Sequence, residues 1–396
     1  MGSFSQITIA NYPIFSSKNS FFDEIINLLF LPEDFTIEPR RNSIRNELIW
    51  GDTYLNDDED FTFKGYRQKV KICKERLEIF GMTIENAKNE FPKAKKIAME
   101  EGLYDFPLSK ITYKKYLDEI SDIIRTNDCN YEQLYTNFRD ALIAGELGIL
   151  GQSLKSHLYS ILSVAPEDAI VEYDLSDVIN NGWVSESEAR KIDFQKILVL
   201  TEGRTDVEFI GASIKKLHPH LFSYFHFIDF DEYKVESNAS ALVKLVTSFS
   251  AVNITHPIIV LFDNDTTGLM EMKKLMQVQI PSNIKVLKLP DLKLAKRYPT
   301  LGPTGVRRMN INGLACGIEM YLGSDVLIEQ DAYIPIHWKA FNEKENKYQG
   351  EISDKKLVQE KFRKKLKCEG SSNFEEMELI LKSIFKAFQL RGNEEI

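Results

Sequence analysis

Residues 196–206 read KILVLTEGRTD, and residues 257–268 read PIIVLFDNDTTG. Each phrase is a short, β-branched apolar run that stops abruptly at carboxylates and a glycine. That pattern marks a buried parallel strand reaching its C-terminal edge. Ligands of open α/β sheets sit outside the carboxyl ends of strands, so Glu202, Asp206, Asp263 and Asp265 are expected to converge on one crevice. Carboxylates gathered there repel one another unless a hard cation neutralises them, and Mg²⁺ or Mn²⁺ takes such oxygen ligands. The pattern points to phosphate chemistry. A plainer reading stands beside it, because an Asp after a strand commonly caps the next helix and Asp-Asn-Asp-Thr suits turns. Capping needs one side chain per helix, whereas each strand end here carries two acids and a nearby glycine, Gly203 or Gly268. Those glycines would let the backbone turn sharply or a phosphate come close.

Outward from these phrases the chain alternates. Residues 205–217 place Val207, Ile210, Ile214 and Leu217 on one helical face. The run YFHFIDF at 224–230 predicts a second buried strand, and 238–251 puts Leu242, Leu245, Val246 and Phe249 at helical spacing. A helix over 267–278 and a strand over 284–289 follow. Strands alternating with helices predict an α/β unit with a parallel sheet and right-handed crossovers.

Glu202-Gly203-Arg204-Thr205-Asp206 followed by Asp263-Asn264-Asp265-Thr266-Thr267-Gly268 resembles the Toprim domain. That catalytic domain is shared by topoisomerases, bacterial primases, small RNA-maturation nucleases and the overcoming-lysogenization-defect nucleases. The resemblance covers roughly residues 192–325. It implies that Glu202 acts at the reaction centre, that Asp263 and Asp265 bind divalent metal, and that Asp206 is a further or more distant ligand. Glu202 would complete a second metal site or serve as general base. Two ions about 4 Å apart would activate water and stabilise the leaving oxygen. Glu319 lies in the apolar, Gly-flanked phrase GLACGIEMYLG (313–323), where an acid needs a partner. A buried salt bridge would satisfy it, but nuclease-type Toprim proteins place a metal-binding Glu in a similar Ile-Glu phrase. Lys355, behind Gly350-Glu351-Ile352, resembles a lysine that follows a Gly-Glu-Ile phrase in related defence proteins. A solvated basic helix accounts for it equally well. The expected catalytic residues are therefore Glu202 and Lys355. The expected ligands of two Mg²⁺ or Mn²⁺ ions are Glu202, Asp206, Asp263, Asp265 and Glu319.

The 396 residues, 43% apolar and 28% charged, suit a globular chain of two or three domains. The first residues lack a secretory pattern and no apolar run nears the ~20 residues of a membrane span, so a cytoplasmic chain is expected. Cys73, Cys129, Cys316 and Cys368 lie far apart without a C-x-x-C pair, which argues against zinc and for reduced thiols. His218-Pro219-His220 is expected to form a loop. A net charge of −9 does not advertise nucleic-acid binding, but local charge differs. Residues 285–308 hold Lys285, Lys288, Lys293, Lys296, Arg297, Arg307 and Arg308 against Asp291 alone. Residues 355–367 are similarly basic, with only Glu360 opposed. Charge runs are usually solvated faces, yet two basic segments following an acidic site suit a polyanion. Lys293, Lys296, Arg297 and the Arg307-Arg308 pair of GPTGVRR (302–308) are expected to grip a phosphate backbone.

The N-terminal half has another texture. Residues 1–65 mix strand-like pieces with turns and an acidic run at 57–60; from 66 onward helical stripes dominate. Leu77, Phe80, Ile84, Ala87, Phe91 and Ala94 form one stripe, Tyr113 to Ile124 another, and two more helices are expected at 131–145 and 147–162. GSFSQITIANYPIFSSKN (2–19), ELIWGD (47–52) and YRQKVKICKERLEIFGMT (66–83) resemble the HEPN/Toprim-associated N-terminal domain, found ahead of Toprim or HEPN nuclease domains in bacterial defence proteins. The expected order is that domain over 1–110, a helical connecting region over 111–190, the Toprim domain over 191–325, and a C-terminal hairpin with a basic helical extension over 326–396. None of the six histidines sits in the R-x(4–6)-H pattern of HEPN nucleases, so the Toprim half should carry the chemistry. The expected function is metal-dependent hydrolysis of nucleic acid in anti-phage defence, with DNA, RNA and tRNA all open as substrates. A catalytically silent regulatory or scaffold subunit is the alternative. A primase would bring a zinc module and a topoisomerase a nucleophilic Tyr with strand-passage domains. No GxxxxGK[ST] loop occurs, so ATP-driven sensing would need a partner, an ATPase or a reverse transcriptase; a homo-oligomer also stays open.

Overall fold

A computed structural model of the chain describes residues 2–41, 60–100, 102, 106–127, 137–143, 153–228, 230, 236–368, 370 and 373–390. Backbone contacts divide it into two compact units, residues 1–194 and 195–396.

The N-terminal unit opens on a hairpin of β1 (Phe4–Ile9) and β2 (Tyr12–Lys18), whose turn residues Ala10 and Asn11 have φ of 51° and 66°. Two positive φ values in a two-residue loop match the twist of the strands it joins. Helix α1 (Asp23–Leu29) and strands β3 (Phe35–Arg41) and β4 (Asp60–Lys69) follow. Then come α2 (Val70–Glu78), α3 (Ile84–Glu100), α4 (Tyr113–Thr126), α5 (Phe138–Ile143) and α6 (Leu154–Val164). Strand β5 (Ile170–Asp174) returns to the middle of a five-stranded antiparallel sheet of order β2-β1-β5-β4-β3. Short helices α7 (Ser176–Asn180) and α8 (Glu186–Ala189) end the unit.

This unit holds more sheet than its sequence suggests. Residues 111–190, read as a helical connecting region, supply the central strand: Tyr173 pairs with Ile7 on one side and Tyr66 on the other, and all three are fully buried. The helix expected from residue 66 begins only at Val70, because Tyr66 to Lys69 are still paired with β5. The stripe from Leu77 to Ala94 is split between α2 and α3 by a turn in which Gly81 takes φ 88°. Of the helices expected at 131–145 and 147–162, the described residues show Phe138–Ile143 and Leu154–Val164. ELIWGD and residues 57–59 of the acidic run lie outside the described residues. One core joins sheet and helices, from Ile7 and Tyr66 through Phe91 and Tyr116 to Leu158.

In the C-terminal unit the alternation is realised. It runs β6 (Ile197–Thr201), α9 (Arg204–Leu217), α10 (Pro219–Phe222), β7 (Phe225–Phe227) and α11 (Ala239–Ala251). Next come β8 (Ile258–Phe262), β9 (Asn264–Asp265), α12 (Thr266–Lys274) and β10 (Ile284–Lys288). Strands β10-β8-β6-β7 lie side by side, every pair parallel. All five residues of β8 are buried, as its unbroken apolar run requires of a strand covered on both faces. Because β6 and β8 are neighbours, with Thr201 paired to Leu261, Glu202 and Asp263 leave the same sheet edge side by side. The strand read at 224–230 is only three residues long. His218 ends α9 and Pro219 starts α10, so the expected loop is a helical corner, with His218 Nε2 3.0 Å from Glu378.

Beyond β10 lie β11 (Tyr298–Gly302), β12 (Gly305–Met309), β13 (Ala315–Cys316), the short pair β14 (Ile328–Glu329) and β15 (Ala332–Tyr333), β16 (Ile336–Asn342) and β17 (Lys347–Ile352). Helices α13 (Lys355–Lys367) and α14 (Glu375–Lys386) follow. The hairpin read at 334–352 is β16–β17, and it joins β11 and β12 in a second sheet of order β12-β11-β16-β17. That sheet spans residue 325, expected as a domain edge. Among the described residues no helix is long and apolar enough to cross a membrane.

Candidate functional site

The two strand ends are built alike. After β6, the Gly203 N–H donates to Asp206 Oδ2 at 2.9 Å, which places the buried Asp206 in the first turn of α9 where the helix dipole favours a carboxylate. After β8, Asp265 caps α12, its Oδ1 accepting from the Gly268 N–H at 2.7 Å. The capping reading is thus realised at Asp265, whereas Asp206 lies inside α9 and accepts the N–H of the cap residue Gly203. Asp265 Oδ2 also accepts from Gln349 Nε2 at 2.5 Å. Glu202 reaches across to the neighbouring strand, its Oε1 accepting from the Asp263 N–H at 2.8 Å. Asn264, between the two Asp residues, turns away, is 1% exposed, and donates to Asp291 at 2.9 Å.

Gly268 lets these ends meet. A Cβ there would lie 2.5 Å from the Asp263 carbonyl oxygen and 3.0 Å from Glu202 Oε1. Gly203 is different: its φ of −152° is open to any residue, and a Cβ would meet nothing nearer than 3.7 Å. Glu319 arrives from downstream. Strand β13 pairs with β9, Ala315 opposite Asp265, and the helical turn Ile318–Tyr321 that follows carries the buried Glu319 to the same place. There Lys355 Nζ stands 3.1 Å from Glu319 Oε1, and Gln359 donates to the same oxygen at 2.9 Å. Asp263, Asp265, Gln349, Glu319 and Lys355 line one pocket of about 260 Å³. Glu202 and Asp206 stand behind that lining, Glu202 tied to Asp263.

The electrostatics follow from burial and crowding. Burial, reinforced by Asp265 and Asp206, lifts the Glu202 carboxyl to about 8 against the relief given by the Asp263 N–H. Burial and the charge of Glu319 lift Asp206 to about 7. Asp263 is raised well above the carboxylate range, by burial first and then by Asp206, Glu202, Asp265 and Glu319. Asp265 is raised by burial despite its hydrogen bonds. Burial works against the Lys355 ammonium, yet Glu319, with Asp263 and Asp206, holds its pKa above the ordinary value. An acid-rich, oxygen-only donor set under mutual repulsion has the chemistry that suits a hard divalent cation. Among the described residues, however, no three His, Cys, Asp or Glu side chains are already gathered around one ion position. The carboxylates turn instead to backbone N–H groups, to Gln349 and Gln359, and to Lys355.

The basic residues divide. Lys293, Lys296, Arg297, Arg307 and Arg308 are exposed, the first three at the helical turn Leu294–Arg297 and the last two on β12. Lys285 of the same stretch is buried in β10, the edge strand of the parallel sheet, and donates to the Leu390 carbonyl at 3.0 Å. In α13, Lys361 pairs with Glu329, Arg363 with Glu208 at 2.6 Å and Lys365 with Asp325 at 2.6 Å, so much of that charge serves packing. Sequence reasoning missed Gln349, Gln359 and Gly317; a Cβ on Gly317 would sit 3.3 Å from both Asp263 Oδ2 and Glu319 Oε2. A glutamine carries no signal of its own in a sequence, but Gly317, two residues before Glu319, does.

Residues 1–196 match the family model described as HEPN/Toprim N-terminal domain 1. The match passes the expected end at residue 110 and takes in β5, the central strand of the sheet. No curated protein and no solved structure matches the chain.

Proposed function

We propose that the C-terminal unit is a Toprim-type, divalent-metal-dependent nuclease that hydrolyses phosphodiester bonds of nucleic acid in bacterial defence against phage. One observation carries the reading: Asp263, Asp265 and Glu319 meet Lys355 in one pocket at the carboxyl edge of a parallel sheet. The N-terminal match supports the setting, since its description ties that domain to HEPN and Toprim proteins.

Glu202, Asp263, Asp265 and Glu319 would hold Mg²⁺ or Mn²⁺, with Asp206 behind them. When bound, such ions supply positive charge to the scissile phosphate and a more acidic water. Glu202 would complete a second metal site or, as a carboxylate, take the proton of the attacking water as general base. Lys355 adds positive charge where negative charge develops on the phosphate. Gln349 and the Gly268 N–H fix the orientation of Asp265, and Gln359 with Lys355 fixes that of Glu319. Lys293, Lys296, Arg297, Arg307 and Arg308 are the proposed grip on the polymer backbone.

The test is cleavage of plasmid, single-stranded DNA and total tRNA with Mg²⁺ or Mn²⁺, comparing wild type with Glu202→Ala and Asp263→Ala. The expected result is loss of roughly 10²-fold or more in each variant, the scale at which electrostatic groups matter. Equal residual cleavage in wild type and both variants would sink the assigned site. The second reading, a catalytically silent scaffold, is favoured by the protein partners that these acids already have. It gains if no substrate is cut with either metal, alone or with neighbouring gene products.

A further inference from the structure

Beside the acidic pocket, the sheet β12-β11-β16-β17 carries an aromatic surface that the proposed chemistry does not use. Trp338 and Phe341 on β16 both pack against Tyr348 on β17, with ring centroids 5.6 Å and 5.0 Å apart. Phe341 is 47% exposed and Tyr348 50% exposed. The two pairs meet tilted and edge-on, and large aromatic rings left half in water as a cluster mark an interaction surface rather than scattered exposure. The sheet is shaped around them. A Cβ on Gly350, which pairs with Trp338 across the hairpin, would come within 2.9 Å of the Trp338 ring, so the ring needs a bare backbone there. On β11, a Cβ on Gly302 would stand 3.7 Å from the indole, in ordinary van der Waals contact.

The same face holds a depression of about 360 Å³ lined by Trp338, Tyr348, Arg307, Met309 and Lys339. That volume suits one nucleoside-sized group, near the small end of ligand pockets. Its charge is positive: Arg307 forms no ion pair with any described residue, while Lys339 is held by Glu351 at 2.7 Å. Lys339 also lines the acidic pocket, and Gln349, the residue after Tyr348, bonds Asp265. Strand β17 therefore shows an aromatic ring on one face and a hydrogen-bond partner of the acidic site on the other.

We infer that this face is a stacking platform for single-stranded nucleic acid, which leads the strand over the Lys339–Glu351 edge into the acidic pocket. Exposed rings offer bases a π-face whatever their sequence, and Arg307 offers the backbone a cation. A duplex keeps its bases stacked on each other and has no ring face to give. The inference rests on the nuclease reading for the strand's destination, but not for its binding.

The experiment is fluorescence anisotropy of the full chain in EDTA with labelled 12-nucleotide single-stranded DNA, the same sequence as RNA, and the DNA duplex. Tyr348→Ala and Phe341→Ala should each weaken both single strands about tenfold, equivalent to roughly 1.4 kcal/mol. Tyr348→Phe, which keeps the ring, should bind as wild type. Arg307→Gln should weaken binding and reduce its salt dependence. Far-UV circular dichroism melts confirm that each variant is folded. Duplex bound as tightly as single strand, or folded Tyr348→Ala and Phe341→Ala with unchanged affinity, would overturn the platform. Loss of binding in the ring variants without metal-dependent cleavage in wild type would keep the platform and remove the nuclease. Cleavage that Asp263→Ala abolishes, with binding indifferent to the rings, would do the reverse. The DNA and RNA arms identify which polymer is preferred.

Discussion

At the scale of single residues, Gly268 and the buried carboxylates make opposite demands. Gly268 has to be small: an alanine methyl would press on the Asp263 carbonyl, which is backbone and cannot swing aside. Gly268→Ala is therefore expected to destabilise by about 1–3 kcal/mol in urea unfolding, the range for overpacking. Gly203→Ala should cost under about 1 kcal/mol, since that site is open and only a cap preference is lost. Equal losses would contradict the geometry. The carboxylates predict a pH dependence. Folding moves Glu202 from its ordinary 4.5 to about 8, and Asp206 from 3.8 to about 7. Between those limits the folded chain keeps protons that the unfolded chain has lost. Without metal, their contribution to stability is fullest below the unfolded values and declines as pH rises towards 7 and 8. Thermal melts in EDTA should show that decline, with a shallower slope in Glu202→Gln. Mg²⁺ or Mn²⁺ at 100 times its Kd should add about 2.7 kcal/mol, and a fixed metal concentration should add more at alkaline than at acidic pH. Both acids and Gly268 stand out in the bare sequence because acids and glycine interrupt apolar runs. Gln349 and Gln359 do not, because their role exists only where β17 and α13 meet the strand ends.

At the scale of elements, side-chain period decides what can be read. The strands β6, β8 and β10 and the helices α9, α11 and α12 were legible because each is local and its pattern is unmixed. Strands β4 and β5 were not. The segment Tyr66–Lys69 is one aromatic followed by three polar residues and runs straight into a helix, and β5 is five residues long with partners over 100 positions away. Their pairing requires Gly65, where a Cβ would fall 2.1 Å from the Tyr173 carbonyl oxygen. The buried pair Arg76–Asp34, at 2.5 Å, ties α2 to the turn before β3, and Asp34 also accepts from the Leu31 N–H and Gln68. Arg76→Met is expected to cost about 3–5 kcal/mol, since it strands a buried carboxylate. Adding Asp34→Asn should recover part of that loss in guanidinium unfolding. A single variant as stable as wild type would show the pair to be dispensable.

At the scale of the whole molecule, two units each close a core of their own, one around Tyr66, Tyr116 and Tyr173 and one around Val260 and Phe262. Residues 1–194 and 195–396, expressed separately, should each unfold in a single cooperative step by circular dichroism. A fragment without a transition would show that its core depends on the other. The phrases at 196–206 and 257–268 by themselves determined a parallel sheet with acids at its carboxyl edge, because strand burial and chain reversal are local chemistry. Tertiary structure alone decided which groups share the pocket. It set β6 beside β8, brought Glu319 back through the β9–β13 pairing, and laid Lys355 and Gln349 against them. Those meetings join residues 36 to 84 positions apart, and only the packing of a closed core fixes distances at that range.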